Sequence, residues 1–236
     1  MNLTLQTISS PIISEILSNS TLDGVVLDKE HGVFGNLDLV YCIQVIKSNN
    51  KKCFVRVTNL DKHLVRMCLD NGVDGLIFST VNTFDYGKEI IDFCKYPSFG
   101  GSRGQGLVRE NKWGKQPLGN QQPILIAQIE TKESVDNLSS IIECCFDYYI
   151  IGPYDLSASL GVVGEWNNEL YLSYYNKIAN LVNKDKLGVF LPSGEQIDNH
   201  DPQKEESQIV VWGMDALFIS ERIQNIEFKW RKNERI

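Results

Sequence analysis

The side chains that can do chemistry stand at the ends of apolar runs. In "LDGVVLDKEHG" a buried-looking strand runs straight into Asp28, Lys29, Glu30 and His31. Four ionisable groups in a row are costly to place unless water or a site receives them. Arg56 sits inside the apolar run "CFVRVTN", and a buried guanidinium needs an anion beside it. Either Asp28 or Glu30 supplies that anion from within the protein, or a substrate carboxylate meets the planar fork. In "ILIAQIETKES", Gln128 and Glu130 lie two apart and so share one face of a strand. The stretch "YYIIGPYDLSASLG" is an apolar strand, a Gly-Pro break and then Asp155, which can also serve as the N-cap of a short helix. Glu130 and Asp155 together supply two hard oxygen donors, a set that suits an octahedral divalent ion completed by water and substrate.

Such groups work only if the elements between them bring them together. Short apolar runs predict strands at 3–8, 24–28, 53–58, 74–79, 123–129, 147–152, 187–191 and 215–219. Between them, "NLDLVYCIQVIKSNN", "DKHLVRMCLDNG", "SVDNLSSIIECC" and "ELYLSYYNKIANLVNKD" predict helices, several closed by Asn or Gly. Strand and helix alternating with few hairpin signals implies a parallel sheet. Eight such units predict a (β/α)₈ TIM barrel formed as one domain over 1–236, somewhat compact for that fold. A doubly wound open sheet is the alternative, but no GxGxxG follows the first strand. His31 to Arg56 and Glu130 to Asp155 are equally spaced at 25 residues. That spacing predicts pairs at matching heights on neighbouring strands, at the C-terminal rim where barrel active sites lie. The long Gly-rich loop from Tyr96 to Gly119, carrying Arg103, Arg109 and Lys112, is either a lid or part of a site.

A net charge of -7 argues against nucleic-acid and anionic-membrane partners. No apolar run approaches the ~20 residues of a membrane helix, and the N-terminus lacks the basic start and continuous apolar core of a signal peptide. The six cysteines form no CxxC pair. They predict buried, reduced thiols in a cytoplasmic protein, and no zinc held by cysteine.

"LDKEHG", "FVRV", "YPSFGGSRGQG…RENKWG", "AQIET" and "IGPYDLSASLG" follow one another in order. Together they resemble the signatures of the HpcH/HpaI aldolases, metal-dependent class II pyruvate aldolases related to 4-hydroxy-2-oxoheptanedioate and 2-keto-3-deoxysugar-acid aldolases. The resemblance runs from about residue 6 to about 220. It implies Glu130 and Asp155 as ligands of a divalent metal ion, Mg²⁺ or Mn²⁺, with Co²⁺ or Zn²⁺ also accepted. His31 with Asp28 matches the acid/base dyad, and Arg56 matches the arginine that binds pyruvate. Gln128 falls next to the metal and the substrate oxygens. Backbone groups of Gly152, Pro153, Tyr154 and Asp155 match the loop that cradles the substrate carboxylate, although Pro153 has no amide hydrogen to give. The implied partners are a small keto acid and an aldehyde, and the implied assembly is a homo-oligomer, a trimer or hexamer.

In that chemistry a pyruvate enolate is formed by proton removal or retro-aldol cleavage, with an imidazole that titrates near neutral pH to move the proton. Two other functions remain open. One is an enolate-forming lyase or synthase with another electrophile, citrate-synthase-like or acyl-CoA lyase-like, for which Arg103, Arg109 and Lys112 are the only basic candidates for CoA phosphates. The other is a non-catalytic keto-acid-binding relative. A Schiff-base role for Lys29 is disfavoured, because Asp28 and Glu30 flank it and favour the charged amine. The chain departs from the family in a short C-terminus, in Ser220-Glu221-Arg222 where Gly-Ser-Asp is usual, and in the polar stretch "SGEQIDNHDPQKEESQ" near the seventh helix.

Overall fold

A computed structural model describes residues 1–117, 122–191 and 207–233. Eight strands close into one parallel barrel in sequence order: β1 (Asn2–Gln6), β2 (Gly24–Asp28), β3 (Lys52–Val57), β4 (Gly75–Phe78), β5 (Ile124–Ile129), β6 (Tyr148–Ile151), β7 (Leu187–Leu191) and β8 (Ile209–Met214). The helices outside it are α1 (Pro11–Ser18), α2 (Asn36–Ser48), α3 (Lys62–Asp70), α4 (Phe84–Cys94), α5 (Lys132–Asp136), α6 (Leu138–Ile142), α7 (Pro153–Ser159), α8 (Glu169–Leu181) and α9 (Asp215–Asn233). The (β/α)₈ barrel expected from the alternation is the fold observed. Among the described residues, no helix is long and apolar enough to cross a membrane.

Period-two alternation builds two cores from one set of strands. Leu3, Val26, Phe54, Ile77, Ile126, Ile150, Phe190 and Ile209 fill the barrel interior. Their neighbours, among them Val25, Val55, Leu76, Leu125 and Ile151, pack outward against the helices. Both faces of each strand are therefore apolar, as a sheet covered on both sides requires. The same parity sends Asp28, Arg56 and Gln128 inward, and they lie at the C-terminal ends of their strands.

The eighth strand differs from expectation. Residues 215–219 begin α9, and the strand is Ile209–Met214. The run from Ile209 to Ile219 has no polar break except Asp215, and that residue marks the change of element. The Asp215 carboxylate accepts hydrogen bonds from the Thr7 and Ile8 amides at 2.9 Å each and from the Thr7 hydroxyl at 2.8 Å. It thereby ties the start of α9 to the end of β1. The expected helix 134–145 is also divided, into α5 and α6 at Asn137. The polar stretch 193–208 lies almost wholly outside the described residues.

As far as residue 117, the long loop does not cover the C-terminal mouth. It joins α4 to β5, so it crosses the N-terminal face, opposite the strand ends that carry Asp28 and Arg56. There Arg103 is buried against Asp70 at the end of α3, with Nη2 to Oδ1 at 2.9 Å, and stacks on Tyr96 at 4.4 Å. The Arg109 amide donates to the Asp70 carbonyl at 3.2 Å. An αβ connection emerges on this face whatever its length, so composition alone could not place it. The cysteines are all free, five buried and Cys145 exposed.

Candidate active site

Register decides what meets at the barrel mouth. Arg56 pairs with Asp28, 28 positions earlier, whereas Tyr148 pairs with Ile126, 22 positions earlier. The equal spacing of His31–Arg56 and Glu130–Asp155 therefore does not mark equal heights, because the connections differ in length from unit to unit. Arg56 is level with Asp28. Glu130 is level with Gly152, whose amide donates to the Ile129 carbonyl at 3.2 Å.

Arg56 faces Asp28 as a fork, Nε to Oδ1 at 2.9 Å and Nη2 to Oδ2 at 2.7 Å. Its Nη1 lies 3.0 Å from Glu30 Oε2, and the guanidinium stands 5.3 Å from the centre of the Phe190 ring. Burial works against the Arg56 charge. Hydrogen bonds and attraction to Asp28, followed by Glu30 and Glu130, outweigh it and raise the pKa. Both partners named as alternatives in the sequence, Asp28 and Glu30, are thus engaged at once.

Glu130 enters from β5 and is 3% exposed. Its Oε1 accepts from the Thr80 amide at 2.8 Å and the Thr80 hydroxyl at 3.1 Å, and its Oε2 accepts from the Gln128 amide. Burial first, then the nearby charges of Glu30 and Asp155, push the Glu130 carboxyl up to about 7 despite the Thr80 hydrogen bonds, which lower it. Gly152 makes room for this arrangement. A Cβ there would come within 2.8 Å of Gln128 Nε2 and 2.9 Å of Glu130 Cβ and Oε2.

The expected His31–Asp28 dyad is not formed. Asp28 is fully buried, with both oxygens on Arg56 and Oδ1 also accepting from the Glu30 amide at 3.0 Å. His31 lies three residues beyond the end of β2 with its side chain 66% exposed, and its Nε2 is 3.9 Å from Glu30 Oε2. Lys29 is held elsewhere, its amine donating to the Phe34 carbonyl at 2.6 Å. Asp155 is exposed in the first turn of α7, capped by Gly152 rather than by its own side chain. The expected amide cradle is narrower than the motif suggests, since Gly152 spends its N–H on the ladder and Pro153 has none. Tyr154 and Asp155 keep first-turn amides that have no intrahelical acceptor.

Glu30, expected as a rim residue and as one alternative partner of Arg56, and Thr80, which no motif marks, complete the site. The parity rule that paired Gln128 with Glu130 also pairs Asp28 with Glu30, so Glu30 was within reach. Thr80 carried no signal: it adopts φ +57°, a conformation rare for a β-branched residue, and only the fold shows that this aims its amide at Glu130.

The donor set fits a hard divalent cation. Gln128 Oε1 is buried without a hydrogen-bond partner among the described residues, beside a Glu130 carboxyl that burial and two carboxylates drive toward protonation. Positive charge here would relieve both. Among the described residues no three His, Cys, Asp or Glu side chains are grouped to hold an ion by themselves.

A closed parallel barrel with a carboxylate-lined C-terminal mouth is the architecture of a TIM-barrel enzyme site. The profile of the HpcH/HpaI aldolase/citrate lyase family matches residues 6–216, and the chain belongs to that family. It is 31% identical over 160 residues to a 2-keto-3-deoxy-L-rhamnonate aldolase of Klebsiella pneumoniae, covering 65% of this chain and 60% of that one. It is 32% identical over 163 residues to a 4-hydroxy-2-oxovalerate aldolase of Novosphingobium aromaticivorans, covering 66% and 62%. The match thus spans about 60% of the length of these relatives. In fold it is similar to a family protein from Burkholderia cenocepacia J2315, with TM-score 0.88 at 21% identity over 98% of this chain and 94% of that one.

Proposed function

We propose that the protein is a metal-dependent class II pyruvate aldolase, a carbon–carbon lyase that cleaves or forms a 4-hydroxy-2-oxo acid from pyruvate and an aldehyde. The observation that carries this reading is the buried Glu130 carboxylate, driven up to about 7 beside Glu30 and Asp155, with the Arg56 guanidinium in the same mouth. Family membership and two aldolase relatives support it.

Glu130 and Asp155 would hold the divalent ion, which when bound supplies Lewis acidity toward the keto oxygen of the substrate. Asp28 and Glu30 fix the guanidinium of Arg56. Of its five N–H donors, Asp28 takes two, and others remain to hold a substrate oxygen and offset the charge of an enolate. Gln128 lies beside Glu130 with an unpartnered Oε1, placed to order the substrate oxygens or a water. The Tyr154 and Asp155 amides offer donors to a carboxylate. His31 stands on the rim, exposed and free to move a proton between solvent and the methyl or hydroxyl group of the substrate, with Glu30 as its carboxylate neighbour. The exposed apolar residues of α9, among them Ile219, Ile223, Ile226 and Trp230, support the homo-oligomer implied by the family resemblance.

An aldolase assay tests this reading, using pyruvate with a panel of aldehydes, and the corresponding 4-hydroxy-2-oxo acids in reverse. Turnover that EDTA abolishes and Mg²⁺ or Mn²⁺ restores is expected. Undiminished turnover after exhaustive chelation would exclude the metal-dependent mechanism. The acyl-CoA alternative loses its basic patch, since Arg103 and Arg109 lie at the opposite end of the barrel.

A further inference from the structure

At the N-terminal face, the long loop and the barrel line an open cavity of about 520 Å³. Lys52 at the start of β3, Ile124 at the start of β5 and Asp74 just before β4 line it, together with Arg103, Arg109 and Gln122. Lys52 is four residues down β3 from Arg56, so roughly 13 Å of strand separates this cavity from the carboxylate cluster.

Its polar groups are unevenly satisfied. Lys47 is neutralised by Asp74, Nζ to Oδ2 at 2.6 Å. The Arg103 guanidinium meets Asp70 at 2.9 Å and Glu110, whose carboxylate also lines the cavity, at 3.6 Å. Arg103 is 2% exposed, yet its Nε is buried without a hydrogen-bond partner among the described residues. Both the Nε2 and the Oε1 of Gln122 are in the same condition. No ion pair joins Arg109 or Lys52 to a carboxylate among the described residues. Buried donors and acceptors are satisfied in nearly all native structures, by protein, water or ligand. Here three unsatisfied atoms belong to residues that line one cavity with two unpaired cations.

We propose that this cavity binds a small hydroxylated oxyanion, a phosphate- or carboxylate-bearing compound, through Arg109, Lys52, Arg103 Nε and the Gln122 amide. Lys52 and Arg109 answer the negative charge. Arg103 Nε and Gln122 Nε2 donate to its oxygens. Gln122 Oε1 is an acceptor, so the ligand must also bring a hydroxyl. An anion held this way would fasten the loop segment 101–116 to the starts of β3 and β5, and would stabilise the folded chain without entering the C-terminal mouth.

Calorimetric titration and thermal melts test this, on the full chain in EDTA, with glycerol 3-phosphate, inorganic phosphate and glycerate as probes. One saturable site per chain is expected, with a Tm rise of about 3 °C or more near saturation. Preference for glycerol 3-phosphate over glycerate identifies the phosphate class, and the reverse preference the carboxylate class. Arg109→Gln and Lys52→Gln, both surface changes outside the barrel core, should each weaken binding at least tenfold and leave aldolase turnover unchanged. Asp155→Asn, at the opposite mouth, should leave this binding intact. Absence of saturable binding for every probe would overturn the proposal. So would binding that survives the Arg109→Gln, Lys52→Gln double variant or disappears in Asp155→Asn.

Discussion

Arg56 and Asp28 are joined edge to edge across β2 and β3, each of two guanidinium nitrogens on its own carboxylate oxygen at 2.9 and 2.7 Å. Asp28 is fully buried, so this fork offsets the cost of burying it. A lysine at position 56 keeps a positive charge but cannot make two parallel bonds. Arg56→Lys is therefore expected to destabilise the fold by about 1–3 kcal/mol, between a lost charged hydrogen bond and a broken buried pair. It should also lower kcat/KM at least ~10-fold. Calorimetric melts and steady-state kinetics on one preparation check both. An unchanged Tm would mean that Asp28 does not rely on the fork.

The Glu130 carboxyl predicts a pH-dependent stability. In metal-free protein the folded state holds this proton up to about 7, whereas the unfolded chain releases it near its ordinary 4.5. Between those values the folded state binds more protons, so stability falls as pH rises through the window, by about 3 kcal/mol in all. Glu130→Gln, which cannot ionise, should lack this decline and be more stable than the parent at pH 8 in EDTA. Urea unfolding at pH 5 and pH 8 measures it, and parallel pH profiles for the two proteins would contradict it.

Asp155 gives the complementary result. It is exposed and sits in the first turn of α7, so Asp155→Asn should shift stability by no more than about 0.5 kcal/mol. Divalent-ion binding and turnover should nevertheless collapse. Titration of Mn²⁺ by calorimetry, read beside the melt, separates ligand loss from misfolding. Retained Mn²⁺ affinity would remove Asp155 from the ion's shell.

His31 is on the rim and packs against little, so His31→Ala should leave the melt unchanged. Its effect belongs to proton transfer, a loss of roughly 10²–10⁴-fold in turnover. Exchange of pyruvate methyl protons in deuterated water isolates the enolising step. Exchange at the parent rate would take His31 out of enolate formation.

Gly152 is the test of space. A methyl group there would come within 2.8–2.9 Å of Gln128 and Glu130, so Gly152→Ala must displace one of them. A cost of about 1–3 kcal/mol with loss of Mn²⁺ affinity is expected. Unchanged ion binding would show that Glu130 is not held where the ion needs it.

The sequence by itself determined the alternation of strand and helix, the eight-stranded barrel and the inward face of β5. Periodicity and pleat parity are local, so Gln128 beside Glu130 and the charged exit from β2 could be read from a few residues. Only the tertiary structure decided the rest. Strand register depends on the length and packing of each connection, so equal spacings misplaced His31 against Arg56 and Glu130 against Asp155. Strand β8 ends at Met214 because Asp215 is captured by Thr7 and Ile8, more than 200 residues away in the chain. Arg56 draws on Asp28 and Glu30 together, and Thr80 turns its amide to Glu130 at φ +57°. Those contacts join residues distant in sequence, and their energies arise only when the barrel closes and excludes water.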